Sequence, residues 1–329
     1  MVKDLLLLSE NETLVSIEGE TSWEHLHFEF FNNFSSSNTK KCYLRDIKFF
    51  YSYLEENINN LSSFLEVKRI HLVAYRNFLE ELNQAPKTVC RKFSSLSSYF
   101  DFLVEKGLFR FNPCDGVKRP KQAILKQTND LSDEKIKDLL QVVDEHGTLM
   151  HQLVIYLLFF TGIRKQELIN LKIKDFENVE GSLTASVKAK GNKRIIKLID
   201  PIVETKIKQY KKSLENCGIF LSEKDPLIIP SRNPNFDQGL IKHLNPKTVD
   251  YILKKYCRLA GIYDRISPHS ARASYIGSAL ENGADLLNVS IDVGHSSVKT
   301  TQEYDKRRKS LSNSPVKNLG YLKDIKKSS

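Results

Sequence analysis

The sequence predicts a mainly α protein with a small antiparallel β-sheet, an α+β fold in two domains. Three observations predict it. Apolar residues recur at helical spacing through most of the first 120 residues and much of the remainder. One segment, SLTASVKAKGNKRIIKLI at 182–199, alternates apolar and polar residues on both sides of Gly191-Asn192. Between the helical first part and the mixed second part, NPCDGVKRPKQ at 112–122 gathers Pro, Gly and charge in the manner of a linker.

In chain order, the first helix is expected in TSWEHLHFEFFNNF. The cap-rich SSSN at 35–38 then opens TKKCYLRDIKFFYSYLEEN, where Tyr43, Ile47, Phe50 and Leu54 share one helical face. VKRIHLVAYRNFLEELN and PKTVCRKFSSLSSYFDFLVEKG complete a four-helix unit. Pro86 stands at the start of the last helix, where a missing N–H costs nothing, and Gly107 at its end. In the second part Ser132 caps LSDEKIKDLL, and the apolar run LVIYLLFF at 153–160 reads as a buried core helix. A break at Thr161-Gly162 precedes a helix carrying IRKQELINL. Ser267-Pro268 opens another helix and Gly283 closes it. Gly294 closes the next, and Ser296 or Ser297 caps a last helix, VKTTQEYDK, that carries Tyr304. The expected layout is an N-terminal extension at 1–20, a helical domain at 21–116, a linker at 117–130, a second domain at 131–310 and a basic tail at 311–329.

At 329 residues the chain is long enough for two cores. Its 40% hydrophobic and 27% charged content is that of a globular protein. No apolar run reaches the length of a membrane span. LLLL at 5–8 is followed by acidic residues, unlike a secretory signal. The five cysteines are scattered and form no C-x-x-C pair, which fits reduced thiols and a cytoplasmic location better than a metal or disulfide framework. The net charge of +10 is unevenly spread: residues 1–34 carry −6, 35–120 carry +5 and 121–329 carry +11. Two consecutive basic blocks suit a polyanion, and nucleic acid is the obvious one, although a lysine-rich solvated surface has the same composition.

Four fragments of the second domain stand out: TGIRKQEL at 161–168, KAKGNKR at 188–194, SPHSAR at 267–272 and VGHSSVKTTQEY at 293–304. Singly, each has an ordinary reading. Arg164 can pair with Glu167 at i+3 on a helix. Lys190 lies at a hairpin tip, where lysines are common. His269 and Arg272 share a helical face, and His295 follows a helix-ending glycine. A metal site would need further ligands near these histidines, and none is evident. Together, the order Arg, Lys, His-x-x-Arg, His, Tyr resembles the tyrosine recombinases of the phage integrase and Xer type. The contexts match as well as the residues. TGIRKQEL resembles that family's TG-hydrophobic-R-x-x-E-L, and AKGNKRI resembles its lysine hairpin. A Gly-His lies nine residues before the tyrosine. VGH stands where the family usually has L-G-H. The segments from NTKKCYLRDIKFF to the linker resemble its N-terminal domain, so the likeness spans roughly residues 20–310.

The resemblance implies a helical, SAM-like core-binding domain followed by a catalytic domain. It implies site-specific cutting and rejoining of DNA through a 3′-phosphotyrosyl intermediate, with no metal, nucleotide or other cofactor. It carries catalytic roles over to Arg164, Lys190, His269, Arg272, His295 and the nucleophile Tyr304. Its partners would be double-stranded DNA with inverted half-sites and further protomers, a dimer per site and a tetramer in the synapse, or a paralogous recombinase. The C-terminal PVKNLGYLKDI would dock on a neighbour. Lys40, Lys41, Arg45, Lys87, Arg91 and Lys92, all near helix starts in the first domain, are candidates for phosphate contact. The same motifs admit a noncatalytic DNA-binding relative, or a topoisomerase-like enzyme that relaxes DNA. Resolution of chromosome dimers and integration of mobile elements would use one chemistry.

Overall fold

The structure is a computed structural model, and it describes residues 23–58, 61–121, 129–189, 193–232 and 241–305. Lys190, the Gly191-Asn192 turn, the N-terminal extension and the basic tail lie outside the described residues. The chain divides into two compact units, Met1–Leu125 and Lys126–Ser329.

Among the described residues the first unit has four α-helices, α1 (Trp23–Asn32), α2 (Ser37–Asn57), α3 (Arg69–Glu81) and α4 (Pro86–Glu105). Ser36 caps α2 through its hydroxyl, which accepts from the Thr39 amide, and Pro86 occupies the first turn of α4. The core between them is unusually aromatic. Phe64, Phe50, Tyr75, Phe93 and Phe100 are all buried. Phe64 stacks on Tyr51 with ring centroids 4.4 Å apart, and Phe50 meets Tyr75 edge-on at 4.8 Å, the arrangements that aromatic quadrupoles favour.

The second unit begins with α5 (Asp133–His146), capped by Ser132, and α6 (Leu149–Thr161). Nearly every residue of α6 is buried, because other helices of the unit surround it. α6 stops at Gly162, which takes the left-handed conformation with φ 55°, and α7 (Lys165–Asn170) follows. Then come β1 (Phe176–Val179), β2 (Ser182–Lys188) and β3 (Arg194–Leu198), in an antiparallel sheet of order β1-β2-β3. The predicted hairpin is β2-β3. β1 was not expected. It pairs through a two-residue turn at Glu180-Gly181, whose φ values of 49° and 80° suit the twist of a tight hairpin. Among the described residues the remaining helices are α8 (Pro201–Asn216), α9 (Pro246–Leu259), α10 (Pro268–Glu281), α11 (Leu286–Asp292) and α12 (Val298–Gln302).

α12 is shorter than the sequence suggests. It is capped by Ser297 but ends at Gln302, so Tyr304 lies in the turn beyond it, with its amide on the Thr301 carbonyl at 3.0 Å. A small apolar cluster of Ile276, Leu280, Val289 and Val293 joins α10 to α11, and Tyr275 and Tyr304 pack against it. Among the described residues no helix is long and apolar enough to cross a membrane.

Candidate active site

The turn after α11 organises the site. Val293, Gly294 and His295 follow that helix directly, and the two carbonyls before His295 each accept from a different arginine. Arg272 Nη2 donates to the Val293 carbonyl and Arg164 Nη2 to the Gly294 carbonyl, the latter at 3.1 Å. Two guanidinium groups are thereby fixed side by side next to His295. Gly294 has φ 63°, a backbone conformation that side chains with a Cβ rarely adopt, so the backbone requires glycine there, and only the movable end of Ile195 on β3 lies close against it.

Each arginine has a second anchor. Arg164 caps α7: its amide donates to Glu167 Oε2 at 2.9 Å and its guanidinium to Glu167 Oε1 at 2.7 Å. Glu167 is buried, so this pair acts as a fixed brace rather than a loose surface ion pair. Arg272 is 2% exposed and also donates to the Gly162 carbonyl at 2.7 Å. Burial and, secondarily, the neighbouring Arg164 bring its pKa down to about 10, which leaves it charged at neutral pH. A Cβ on Gly162 would meet the Tyr275 ring at 2.5 Å, so the break that sequence reading placed at Thr161-Gly162 is a packing requirement as well as a helix stop.

α10 starts at Pro268, behind the Ser267 cap, and presents His269 and Arg272 one turn apart. His269 is exposed, and its Nε2 lies 3.3 Å from the Tyr304 hydroxyl. His295 stacks on Tyr304 with centroids 6.2 Å apart and planes 19° apart, while its Nδ1 lies 2.8 Å from Thr301 Oγ1. Burial, then Arg272, Arg164 and His269, push the His295 pKa down to about 4, so the ring is neutral at physiological pH. Five of the six residues singled out from the sequence thus meet in one pocket. The sixth, Lys190, lies outside the described residues; β2 and β3, which flank it, are described.

The sequence did not single out Lys197, Asp292, Tyr275 and Thr301. Lys197 is 2% exposed and donates to the Asp292 carbonyl at 2.8 Å and to its carboxylate at 3.0 Å. The Tyr275 hydroxyl donates to the same carboxylate at 2.9 Å. Burial lowers the Lys197 pKa, and Asp292 opposes that shift. Burial and Asp292 together raise the Tyr275 pKa. Among the described residues no three His, Cys, Asp or Glu side chains are grouped to hold a metal ion.

In the first unit the six basic candidates divide by exposure. Lys41, Arg45 and Lys87 are exposed, and Lys40 donates to Asn32 Oδ1 at 2.8 Å. Arg91 binds the fully buried Asp46, which also accepts from Ser95 at 2.9 Å. Lys92 is 6% exposed; its ammonium lies 3.8 Å over the Phe49 ring and 3.9 Å from Asp46. The structure therefore turns Lys92 into the helix packing between α2 and α4, away from the solvent-facing positions of the other candidates.

A helical unit followed by a mixed unit, with two braced arginines, two histidines and a phenol in one pocket, defines a protein built to hold an anion beside a hydroxyl group. The comparisons agree. The phage integrase family pattern matches residues 129–310, and that of its N-terminal SAM-like domain matches residues 30–107. A tyrosine recombinase XerD of Listeria innocua is 30% identical over 290 residues, 85% of this chain and 92% of its own length. A tyrosine recombinase of Thermosipho africanus is 29% identical over 82% of this chain and 88% of its own. Similar folds are seen in XerH recombinase bound to a palindromic difH substrate after cleavage (TM-score 0.65, 20% identity, 82% of this chain and 77% of that one) and in a lambda integrase dimer on a core site (TM-score 0.65, 15% identity, 86% and 94%). The chain belongs to the phage integrase family of tyrosine recombinases, enzymes that cleave and rejoin DNA.

Proposed function

We propose that this protein is a site-specific recombinase in which Tyr304 is the nucleophile and Arg164, Arg272, His269 and His295 hold the scissile phosphate. The observation that carries this reading is the Tyr304 hydroxyl on His269 Nε2 at 3.3 Å, in the pocket where both arginines bind successive carbonyls. A phosphodiester repels nucleophiles, and in-line attack builds charge on its nonbridging oxygens. Two fixed guanidiniums oppose that charge, and because their anchors are already in place they need no reorganisation during the reaction. In the step itself the Tyr304 oxygen bonds to phosphorus, its proton passes to His269, and the bond to the 5′-oxygen breaks. That oxygen takes a proton from Lys190, the proposed general acid. The 3′-phosphotyrosyl bond keeps the energy of the phosphodiester, so religation reverses the step on a partner strand with no nucleotide consumed.

The DNA would carry inverted half-sites, each bound by one protomer, with four protomers, or two and two of a paralogue, in the synapse. Structural relatives bound to DNA as a dimer and as a tetramer support this reading. Exposed Ile196 and Leu198 on β3 offer an apolar seat for a neighbour's C-terminal segment. The domain limits of 21–116 and 131–310 and a cytoplasmic location complete the reading. Filled positions at Arg164, Arg272, His269, His295 and Tyr304 disfavour a noncatalytic role.

The test is a nicked suicide substrate carrying the target site, identified by sequencing DNA junctions recovered with the protein. The wild type traps a covalent adduct, and Tyr304→Phe binds the site but forms none. An adduct on the Phe variant sinks the assignment. Robust relaxation of site-free supercoiled DNA would favour the topoisomerase reading instead.

A further inference from the structure

His295 has more than one way to serve an anion, and the choice depends on a single proton. A neutral imidazole carries one N–H, and which nitrogen bears it is set by the hydrogen bond made at the other. His295 Nδ1 lies 2.8 Å from Thr301 Oγ1. Thr301 is fully buried on α12.

The buried hydroxyl must place its own hydrogen. Elsewhere in the chain, two helical threonines do so on the carbonyl four residues back: Thr161 on Leu157 at 2.6 Å and Thr205 on Pro201 at 2.9 Å. The Thr301 hydroxyl makes no such bond to Ser297, the cap of its helix, and among the described residues His295 Nδ1 is that hydroxyl's one hydrogen-bond partner. If Nδ1 carried the proton it would donate to Oγ1, and the Thr301 hydroxyl would have to turn its own hydrogen elsewhere, where no acceptor is found among the described residues. A buried donor left unsatisfied is strongly disfavoured, because it loses its bond to water and gains none in return. The hydroxyl therefore donates, Nδ1 accepts, and the proton sits on Nε2.

We propose that Thr301 is a positioning residue that holds His295 as its Nε2–H tautomer, making the ring a hydrogen-bond donor to a nonbridging phosphate oxygen. The donor role rests on reading the pocket as a phosphate site, whereas the tautomer does not. The same residue accepts the Tyr304 amide on its carbonyl at 3.0 Å, so Thr301 also fixes where the turn bearing the nucleophile begins.

The experiment is a multiple-bond ¹⁵N–¹H spectrum of full-length protein labelled at histidine nitrogens, near neutral pH, with His295 assigned by its loss in His295→Gln. The wild type is expected to show the Nε2–H pattern. Thr301→Ser, which keeps the hydroxyl, preserves it. Thr301→Val, of equal size but without the donor, removes the hydrogen bond at Nδ1 and shifts that nitrogen's signal. An Nδ1–H pattern in the wild type overturns the proposal by itself, whatever the variants do. A Val variant with an unchanged spectrum overturns it too. On the suicide substrate, Thr301→Val should form adduct at least 10-fold more slowly than Thr301→Ser. If the Nδ1 signal shifts while the two rates agree, the donor role at the phosphate is overturned.

Discussion

Lys197 and Asp292 form an ion pair of which the lysine is the buried half: its side chain is 2% exposed, while the Asp292 side chain keeps 30% of its surface. The ammonium also holds the Asp292 carbonyl at 2.8 Å. This contact joins β3 to the last residue of α11, and the next three residues supply the two arginine-binding carbonyls and His295. Tyr275 binds the same carboxylate and packs against Gly162, whose carbonyl holds Arg272. Hairpin, turn and arginine loop are thus connected through one charge pair.

The asymmetry of the pair makes its variants unequal. Asp292→Leu strands a buried ammonium, and uncompensated buried charges cost about 3–5 kcal/mol. Lys197→Met removes the buried charge and leaves Asp292 with Tyr275 and solvent, for a cost of about 1–2 kcal/mol in lost hydrogen bonds. The double variant strands nothing and should recover most of the stability lost in Asp292→Leu. Urea unfolding midpoints check the order, which fails if Lys197→Met proves the worse single change.

The strand that carries Lys197 shows where sequence reading stops. In RIIKL at 194–198, the alternation puts Ile196 and Leu198 on one face and Ile195 and Lys197 on the other. The structure exposes the first face and covers the second: Ile196 is 61% and Leu198 67% exposed, while Lys197 is buried. A period-2 pattern fixes which residues share a face but not which face is covered, and here Asp292, 95 residues away, decides it. The catalytic-type residues were legible for another reason: local breaks accompany them. Gly162 before Arg164, Ser267-Pro268 before His269 and Gly294 before His295 are punctuation that a sequence displays. Thr301 and Asp292 carry no such mark, because their roles exist only across folded turns. β1 was missed because Glu180-Gly181 is an unremarkable dipeptide until its left-handed φ values are seen.

Exposure separates the basic residues of the first unit by what their loss should do. Lys87 is exposed at the start of α4, so Lys87→Ala should weaken DNA binding and lower the slope of log affinity against log salt by about 1. Lys92 is 6% exposed over Phe49 and beside Asp46, so Lys92→Met should leave that slope unchanged and alter thermal stability instead. Salt titrations of binding and melting curves on both variants distinguish the two cases. A reduced slope for Lys92→Met would place its ammonium on phosphate.

His295 predicts a window of acid sensitivity. Its folded pKa, held down to about 4 by burial and by Arg272 and Arg164, lies below the value of about 6.5 expected once unfolded. Between these values the unfolded chain binds a proton that the folded chain refuses, so its contribution to stability is full above about 6.5 and is lost as pH falls toward 4. His295→Gln lacks the group. The stability of the wild type relative to this variant should be flat above neutrality and decline through the window. A difference that does not change with pH would show that His295 titrates normally.

The last prediction concerns the proton that must leave Tyr304. Its hydroxyl lies 3.3 Å from His269 Nε2, close enough for transfer with slight tightening on DNA. Gln can still hydrogen-bond a phenol but cannot accept its proton, so His269→Gln tests the role while keeping much of the contact. General-base catalysis contributes about 10²–10⁴-fold, and single-turnover cleavage should fall by that order near neutral pH. The pH profile is the sharper measure. Without a base the reaction needs phenolate formed by solvent, whose share rises about tenfold per pH unit until the ordinary phenol pKa of about 10. The deficit of His269→Gln should therefore shrink steadily as pH rises, while the wild-type rate stays comparatively flat. A merely structural role would lower the rate by one factor at every pH, giving parallel profiles, and that outcome would move the base away from His269.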